Sequence, residues 1–499
     1  MNESQVTPPD AAHRRIWLIT LLALVLLGGW MARYGPEPSA DDYAQYLMHA
    51  QSLLDGDGYG DIDYLFSHYA WGTGPPIAAP GMSLSFVPVL ATVGYGEWLH
   101  TGAMLLAILL LAVTTARYFG RWNAVHGAAA AYLIAVALIM VRGGSTLYPD
   151  IPFAVLCWIV VLLVDGKEEW GWGRTLAIAG FGILALLYRT AGIALVPSML
   201  LYGALTWRSL RLKPLLVVAA WSATFWLVFG LFGAGQIPAT PVDYVEVAGS
   251  DDITLVQRVV RNALRYRWPI FDLQLYPFPT RILNAAYHVG ITALSAWALL
   301  RWMGGTWYRF AVVFLFGYVG MLLVAPVQSG RYFWPLLPFV AYGMVRALDD
   351  LLKVGPLRRT STAVRVMGPL LLLTAMSWVM VLRTPPEPSL LQRESVQSLF
   401  QHFRELETDR PETRAVFIKP RTLAWHAGVP TMALLYPPTN DVALAELQDK
   451  RITHVVLGNV GLGGQAANER WRNLIDERDD LFRLEYRNDD FEVYAVGSD

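Results

Sequence analysis

The chain has 499 residues, of which 55% are hydrophobic and 16% are charged. Soluble domains contain about 25% charged residues, so this composition predicts a polytopic membrane protein. The net charge of −1 creates no basic field that would attract nucleic acid. The single cysteine, Cys157, excludes a disulfide framework and a cysteine metal site.

The sequence predicts eleven membrane spans, because about 20 apolar residues cross a bilayer. The first span follows Arg14 and Arg15 and lacks a convincing small-x-small cleavage site, so we interpret it as a signal anchor. The segment Met82–Val93 is apolar but short and contains Pro88, which favours a surface or re-entrant piece. The predicted spans are 16–33, 98–117, 124–141, 150–164, 174–188, 190–206, 214–233, 283–300, 308–325, 332–348 and 366–382.

The distribution of lysine and arginine predicts the orientation of these spans. With the N-terminus in the cytoplasm, the inside connections contain sixteen of these residues and the outside connections nine. Five of the nine lie in one long loop, so the other outside connections are nearly bare. This asymmetry follows the positive-inside rule and predicts a multi-pass protein of the inner or plasma membrane with an extracytoplasmic C-terminal region.

Three outside stretches are long enough to build structure. Loops 34–98 and 234–281 belong to a predicted membrane domain, 1–383, and the polar region 384–499 follows it. This last region predicts a small extracytoplasmic α/β domain, because strand and helix patterns alternate along it. The predicted elements are strands at Arg414–Lys419 and His454–Leu457, a helix near Val442–Asp449, and a hairpin of Phe482–Tyr486 and Phe491–Val496.

Two adjacent carboxylates, Asp41 and Asp42, follow the first span and begin a helical pattern that ends before Gly56. Ser39 and Asp42 have the spacing of a capping box. The apolar residues from Tyr43 onward recur at helical spacing, which predicts a helix along the bilayer surface with Asp41 at the boundary between water and lipid. The alternative interpretation is that both acids only cap this helix.

Aromatic side chains cluster farther along the same loop, at Tyr64, His68, Tyr69 and Trp71. Aromatic residues at this depth are typical of an interfacial belt. Their rings could instead stack on the apolar face of a sugar or an acceptor. His68 has no helically spaced His or Glu partner, so it does not by itself indicate a metal site.

Charged residues also occur at the outer ends of later spans. Asp150 opens the fourth span, Arg189 lies in a joint with almost no loop, and Arg331 opens the tenth span. Charges at the membrane edge are costly and usually have partners, so these residues are functional candidates. The helical pattern Val256–Trp268 places Arg261 among other arginines, which predicts an amphipathic helix on anionic headgroups or a contact to a lipid phosphate.

These features, in this order, resemble the GT-C superfamily of polyprenyl-phosphate-dependent glycosyltransferases. The resemblance is to the branch of protein O-mannosyltransferases and lipid A aminoarabinose transferases, and it covers residues 10 to about 350. The motifs that support it are Asp41-Asp42-Tyr43 with Leu53-Leu54-x-Gly56, Pro75-Pro76 with Pro80-Gly81, Tyr148-Pro149-Asp150, and Arg331-Tyr332-x-x-Pro335-Leu336-Leu337-Pro338.

The resemblance implies a GT-C fold and an inverting transfer of a sugar from a polyprenyl-phosphate donor to a hydroxyl of a lipid, glycan or protein acceptor. It implies Asp41 as general base with Asp42 and Asp150 as supporting acids. Arg189, Arg331 and Arg261 are the implied phosphate contacts. Some relatives require a divalent metal and others do not, so metal dependence stays open.

The chain departs from the family at two positions. Relatives more often have Asp-Glu where this chain has Asp41-Asp42, and an aromatic residue follows their Pro-Pro segment. The subfamily and the substrates therefore stay open. A flippase or transporter is the alternative class, although such proteins tend to have inverted repeats and charges at the membrane midplane.

Overall fold

The computed structural model describes residues 11–31, 41–67, 78–140, 148–166, 169–210, 212–233, 254–266, 278–306, 309–325, 330–354, 356–383, 390–434, 439–458 and 465–497. The α-helices of these residues are α1 (Ala11–Met31), α2 (Asp42–Asp55), α3 (Pro80–Val93), α4 (Glu97–Phe119), α5 (Ala124–Met140), α6 (Asp150–Val164), α7 (Trp172–Tyr188), α8 (Leu195–Leu205), α9 (Trp207–Leu210), α10 (Lys213–Gly233), α11 (Leu255–Tyr266), α12 (Arg281–Met303), α13 (Phe310–Val324), α14 (Leu337–Val354), α15 (Thr362–Arg383), α16 (Glu394–Asp409), α17 (Pro420–Ala427), α18 (Asn440–Asp449) and α19 (Gln465–Glu477).

Short 3₁₀ helices and strands complete the described structure. The 3₁₀ helices are Thr190–Ala194, Gly330–Leu336, Pro356–Arg359 and Leu390–Gln392. The strands are β1 (Tyr64–Leu65), β2 (Ala415–Phe417), β3 (Thr431–Ala433), β4 (His454–Gly458), β5 (Phe482–Arg487) and β6 (Phe491–Val496).

The chain divides into two compact units. Unit 1 consists of Met1–Tyr34, Glu97–Gly230 and Pro241–Pro386, and unit 2 of Gly35–Gly96, Leu231–Thr240 and Glu387–Asp499. The sequence predicts that loop 34–98 belongs to the membrane domain, whereas the structure groups Gly35–Gly96 with the C-terminal region. A loop that contributes a strand to a distant sheet has no local sequence signal for that pairing.

Unit 1 is a bundle of apolar helices. The centre of the bundle is α5, where the residues from His126 to Ile139 are all buried. Small residues let α5 approach α4 closely, and a Cβ added to Gly127 would lie 2.7 Å from the carbonyl oxygen of Ala116. Large apolar side chains such as Ile282 and Leu300 on α12 are exposed, as expected for a surface that faces lipid.

Each predicted span coincides with a helix, or with a 3₁₀ helix followed by an α-helix, of unit 1. Among the described residues, three helices are long and apolar enough to cross a bilayer on length and composition alone: Thr101–Phe119, Ile282–Met303 and Thr362–Val379. The other apolar helices are shorter. The count of eleven spans stays a prediction.

Unit 2 is built around a six-stranded sheet in the order β1-β3-β2-β4-β6-β5. Strands β1, β3, β2 and β4 run parallel, and β6 and β5 add an antiparallel edge. The strands and the helix predicted for the C-terminal region all occur, at β2, β4, β5, β6 and α18. One side of the sheet buries Val416, Met432, Val455 and Trp471 in a common core.

The structure corrects the expectation that α2 lies on the bilayer surface. The residues from Tyr43 to Ala50 are all buried within unit 2, including the polar side chains of Gln45 and His49. The prediction that Gly56 ends the helix is confirmed, because its φ of 86° is left-handed and suits glycine. The structure corrects the predicted capping box, because Asp41 is the N-cap of α2 and Asp42 its first residue rather than its third, and the side chain of Asp41 makes no capping hydrogen bond to α2; Ser39 lies outside the described residues. The segment Met82–Val93 forms most of α3, and its relation to the membrane also stays a prediction.

Candidate functional site

Three predicted site residues of unit 1 converge on one carboxylate. Asp150 is the first residue of α6, and its side chain is only 2% exposed. Arg189 Nε lies 3.4 Å from Asp150 Oδ1, and Arg189 Nη1 donates to Oδ2 at 3.4 Å. Arg331 Nε lies 3.8 Å from the same Oδ2. Segments more than 180 residues apart in the chain thus meet at Asp150, and we call these three residues the Asp150 cluster.

Local backbone structure and aromatic rings fix both guanidinium groups of this cluster. Arg189 ends α7 in an extended conformation, with φ −151° and ψ 132°, and the next 3₁₀ helix follows at once. Its guanidinium carbon lies 4.7 Å from the centre of the Tyr332 ring, and that of Arg331 lies 5.1 Å from the Tyr148 ring. Cation–π contacts of this kind stabilise a guanidinium where little water reaches it.

Within the three residues of the Asp150 cluster, two guanidinium groups face one carboxylate. The side chains of Arg189 and Arg331 are 16% and 22% exposed, whereas Asp150 is buried. A planar guanidinium can donate to two oxygens of a phosphate at once. The geometry therefore suits an anionic ligand held by the arginines, with Asp150 orienting them.

The predicted arginine face of α11 is only partly correct. Arg261 is exposed, but Arg258 is buried at 6% exposure. The buried face also contains Asn262, whose amide donates to the carbonyls of Leu322, Leu323 and Ala325 at the end of α13. The apolar face of α11 is consequently the exposed one.

The acidic pair of unit 2 is bound by the first residues of α17. Asp41 Oδ1 accepts hydrogen bonds from the backbone N–H and the hydroxyl of Thr422, both at 2.8 Å. Asp41 Oδ2 accepts from the backbone N–H of Arg421 at 3.3 Å. Arg421 Nη1 donates to Asp42 Oδ1 at 2.7 Å, and Arg421 Nε lies 3.9 Å from Asp41 Oδ2. We call these four residues the Asp41 cluster.

Burial governs the electrostatics of the Asp41 cluster. The side chain of Arg421 is 1% exposed, and that of Asp41 is 12% exposed. Burial raises the pKa of Asp41, and the charge of Arg421 and the hydrogen bonds from Thr422 oppose that rise. Arg421 stabilises both carboxylates, and the two carboxylates in turn raise its own pKa. Within these four residues, two carboxylates share one guanidinium group, and Lys419 also acts on Asp41 and lowers its pKa.

Of the predicted aromatic contacts, the structure describes Tyr64. It lies in β1, is 5% exposed, and has its ring 4.8 Å from the guanidinium carbon of Arg421. His68, Tyr69 and Trp71 lie outside the described residues, so their role in sugar binding is a prediction.

Several contact residues were missed by sequence reasoning. Arg421 and Thr422 are separated from the acidic pair by about 380 residues, and the sequence offers no local signal for the contact. Two histidines were also missed. His426 Nε2 lies 2.9 Å from the hydroxyl of Tyr43, and His49 on α2 contacts Tyr59 and Ala78. The one local signal was Pro420, because proline is favoured in the first turn of a helix and therefore indicates the start of α17.

Other buried acids of unit 1 have structural partners. Asp165 accepts hydrogen bonds from the backbone N–H groups of Phe310 and Ala311 and so caps α13. Asp349 pairs with His126, Lys353 and Arg365. Within the described ranges, no group of three His, Cys, Asp or Glu side chains is placed to hold a metal ion.

Comparison with known proteins identifies the fold. The chain matches no protein-family model and no curated protein sequence. ArnT from Cupriavidus metallidurans, in a crystal structure bound to undecaprenyl phosphate, is similar over 97% of this chain and 99% of its own, with 14% identity and a TM-score of 0.55. The apo oligosaccharyltransferase of Archaeoglobus fulgidus is similar over 92% of this chain and 71% of its own, with 13% identity and a TM-score of 0.55. These proteins belong to the GT-C superfamily, so the predicted resemblance is confirmed at the level of the fold.

Proposed function

We propose that this protein is an integral membrane glycosyltransferase that takes a sugar from a polyprenyl-phosphate donor. The acceptor is a hydroxyl group of a lipid, glycan or protein on the extracytoplasmic face, and the anomeric centre is inverted. The observation that carries this proposal is the Asp150 cluster, which presents two partly accessible arginines oriented around one buried carboxylate, in a protein with the GT-C fold.

The arginines account for the binding of the donor. A polyprenyl phosphate presents an anionic oxygen group at the membrane edge, and Arg189 and Arg331 offer several N–H donors there. Negative charge grows on the leaving phosphate as the bond from the anomeric carbon breaks. Fixed guanidinium groups stabilise that charge without reorganising. ArnT, one of the proteins with this fold, binds undecaprenyl phosphate, which supports this choice of donor.

Asp41 is the proposed general base. The acceptor oxygen attacks the anomeric carbon, the bond to the phosphate oxygen breaks, and the acceptor proton passes to Asp41. A carboxylate whose pKa is raised by burial is a stronger proton acceptor than an exposed one, provided that it is still ionised. Asp42 holds Arg421 at 2.7 Å, so we assign it a supporting role beside the base.

Donor turnover tests the proposal directly. Purified protein is incubated with undecaprenyl phosphates that each carry one radiolabelled sugar, including mannose and aminoarabinose, and released undecaprenyl phosphate is measured. The transferase proposal expects release that requires Arg331 and Asp41. A protein that moves the intact labelled lipid between the leaflets of a vesicle without releasing undecaprenyl phosphate would instead be a flippase.

The orientation is tested separately. A reporter enzyme that folds only outside the cytoplasm is fused after Asp499 and compared with one that is active only inside. The proposed topology expects activity of the outside reporter alone. A cytoplasmic signal would mean that the span count differs by one, and Met82–Val93 is then the first segment to re-examine.

A further inference from the structure

The hydrogen bonds of Asp41 are distributed unevenly over its two oxygens. Oδ1 receives two donors at 2.8 Å from the same residue, the N–H and the hydroxyl of Thr422. Oδ2 receives one longer bond of 3.3 Å from the Arg421 N–H, and Arg421 Nε at 3.9 Å is too far for a hydrogen bond. Because two donors on Oδ1 hold the plane of the carboxylate, Oδ2 keeps a lone pair in a defined direction.

We infer that Thr422 and Arg421 are positioning residues that orient Asp41 so that its Oδ2 takes the acceptor proton. The inference rests on the proposed function, because it needs Asp41 to act as the base. It adds the start of α17 to the groups on which the reaction depends. Neither residue has to touch the substrate for this role, and both act through Asp41.

Arg421 has more hydrogen-bond donors than its described contacts use. Its side chain is 1% exposed, and among the described contacts its Nε and Nη2 are buried without a hydrogen-bond partner. Leaving such donors unsatisfied is costly, and a shorter uncharged side chain would avoid the cost. A guanidinium between two carboxylates, with its face on Tyr64, offsets part of their charge and favours the ionised form of Asp41, which is the form that can accept a proton.

The charged and titratable groups that face Asp41 come from several elements of unit 2. Thr422 contributes hydrogen bonds that favour the ionised carboxylate. The other groups are Asp42 on its own helix, Arg421 on α17, Lys419 before α17, His426 through Tyr43, and Tyr64 and His49, which interact with Arg421.

The test measures turnover against pH in full-length Thr422→Val, Thr422→Ser and wild-type protein, with the panel of undecaprenyl-phosphate sugars described above. Thr422→Val keeps the shape and the backbone N–H but removes the hydroxyl from Oδ1. Thr408→Val is the matched control, because Thr408 is exposed on α16 and its hydroxyl bonds only the carbonyl of Arg404 within that helix.

We expect Thr422→Val to move the acidic limb of the profile upward by about one pH unit, so that turnover falls by up to about tenfold on that limb. The sign follows because removing a donor to the ionised carboxylate raises the pKa of the base. Its rate should approach that of the wild type at high pH, and Thr422→Ser should restore the profile. Arg421→Lys should move the limb in the same direction, since lysine cannot reach both carboxylates in the same way.

Each other outcome overturns the inference. If the wild type turns over donor and Thr422→Val follows Thr408→Val at every pH, Thr422 does not position the base. A loss that is equal at all pH values and parallels a lower melting temperature marks a merely structural contact. If the wild type releases no undecaprenyl phosphate from any donor of the panel, the proposed function itself fails and takes the inference with it.

Discussion

The two charged clusters of this protein are built from the same residue types in opposite proportions. In unit 1, one buried carboxylate, Asp150, is flanked by two arginines. In unit 2, one buried arginine, Arg421, is shared by two carboxylates. Counted within the named residues of each cluster alone, the first has a surplus cation and the second a surplus anion, although both are mostly shielded from water.

Under the proposed function, the two clusters differ in the task that their charges suit. A surplus cation attracts an anionic leaving group, and its guanidinium groups are partly accessible. A surplus carboxylate in a buried environment binds a proton more readily than an exposed acid does. The comparison predicts that substitutions in unit 1 change donor affinity, whereas substitutions in unit 2 change the rate of the bound donor.

The largest expected effect is that of Asp41→Asn. Removal of a general base typically lowers turnover by roughly 10²–10⁴-fold. Asparagine keeps an oxygen for the donors of Thr422, so the melting temperature should change little. The measurement is turnover at saturating donor together with thermal melting in the same detergent.

The cap interpretation of Asp41 expects the reverse pattern. Loss of a helix cap costs about 1 kcal/mol of stability and need not slow the reaction. If Asp41→Asn is destabilised and its turnover falls only in step with the folded fraction, the surplus carboxylate of unit 2 is structural. The matched variant is Asp42→Asn, which weakens one contact to Arg421 and should reduce turnover far less.

The next largest effect is expected for Arg331→Ala. One lost charge-assisted hydrogen bond corresponds to about 1.5–3 kcal/mol, or roughly 10–100-fold in affinity for undecaprenyl phosphate. Arg331→Lys should recover only part of this affinity, because lysine lacks the planar fork. The measurement is titration of detergent-solubilised protein with undecaprenyl phosphate.

The control for Arg331 has to be an exposed arginine outside the cluster. Arg258 is unsuitable because it is buried, whereas the side chain of Arg301 is 57% exposed and pairs only loosely with Asp350 at 3.9 Å. Arg301→Ala should bind undecaprenyl phosphate as the wild type does. Equal losses in both variants would argue against a specific phosphate contact in the Asp150 cluster.

A smaller effect on the reaction is expected for Asp150→Asn. The change leaves two guanidinium groups without their shared carboxylate, which should lower stability by about 2 kcal/mol. Donor affinity should fall several-fold because the arginines are less well oriented, while turnover of bound donor stays near that of the wild type. A large loss of turnover at unchanged donor affinity would show instead that Asp150 takes part in the chemistry, as a supporting acid.

Local patterns predicted the parts of the structure that depend on nearby residues. Apolar runs marked the helices of unit 1, Gly56 marked the end of α2, and short strand-like runs marked β4 and the hairpin of β5 and β6. Arg189 and Arg331 were found because a charge at a membrane edge stands out against apolar sequence.

The partners of the site residues depend on contacts between distant segments, which sequence periodicity does not encode. Nothing near Asp41 predicts that Thr422 donates to it twice, or that β1 pairs with β3. The helical pattern of α11 was correct, but its apolar face is exposed because Asn262 attaches the polar face to α13. Which face of an amphipathic helix is buried depends on whether its surroundings are water, lipid or another helix.

The last prediction concerns His49, a buried histidine of unit 2 that interacts with Arg421 of the Asp41 cluster. His49 is fully buried, its Nδ1 lies 2.5 Å from the Tyr59 carbonyl oxygen, and its Nε2 accepts from the N–H of Ala78 at 3.3 Å. This pairing fits the neutral ring with its proton on Nδ1, since a proton on Nε2 would face the Ala78 N–H. Burial, aided by the charge of Arg421, lowers the pKa of His49 to about 4.

A histidine with a lowered pKa in the folded state reduces stability as the pH falls. The unfolded chain binds the proton below pH ~6.5, while the folded protein resists it down to about pH 4. Each unit of pKa difference between the folded and unfolded states corresponds to about 1.36 kcal/mol, so the free energy of unfolding falls by about 3 kcal/mol over this pH window. His49→Gln should therefore show a weaker decline of melting temperature between pH 6.5 and 4 than the wild type, with His426 contributing equally to both. Parallel declines would mean that burial does not lower the pKa of His49, so that its protonation is not linked to unfolding.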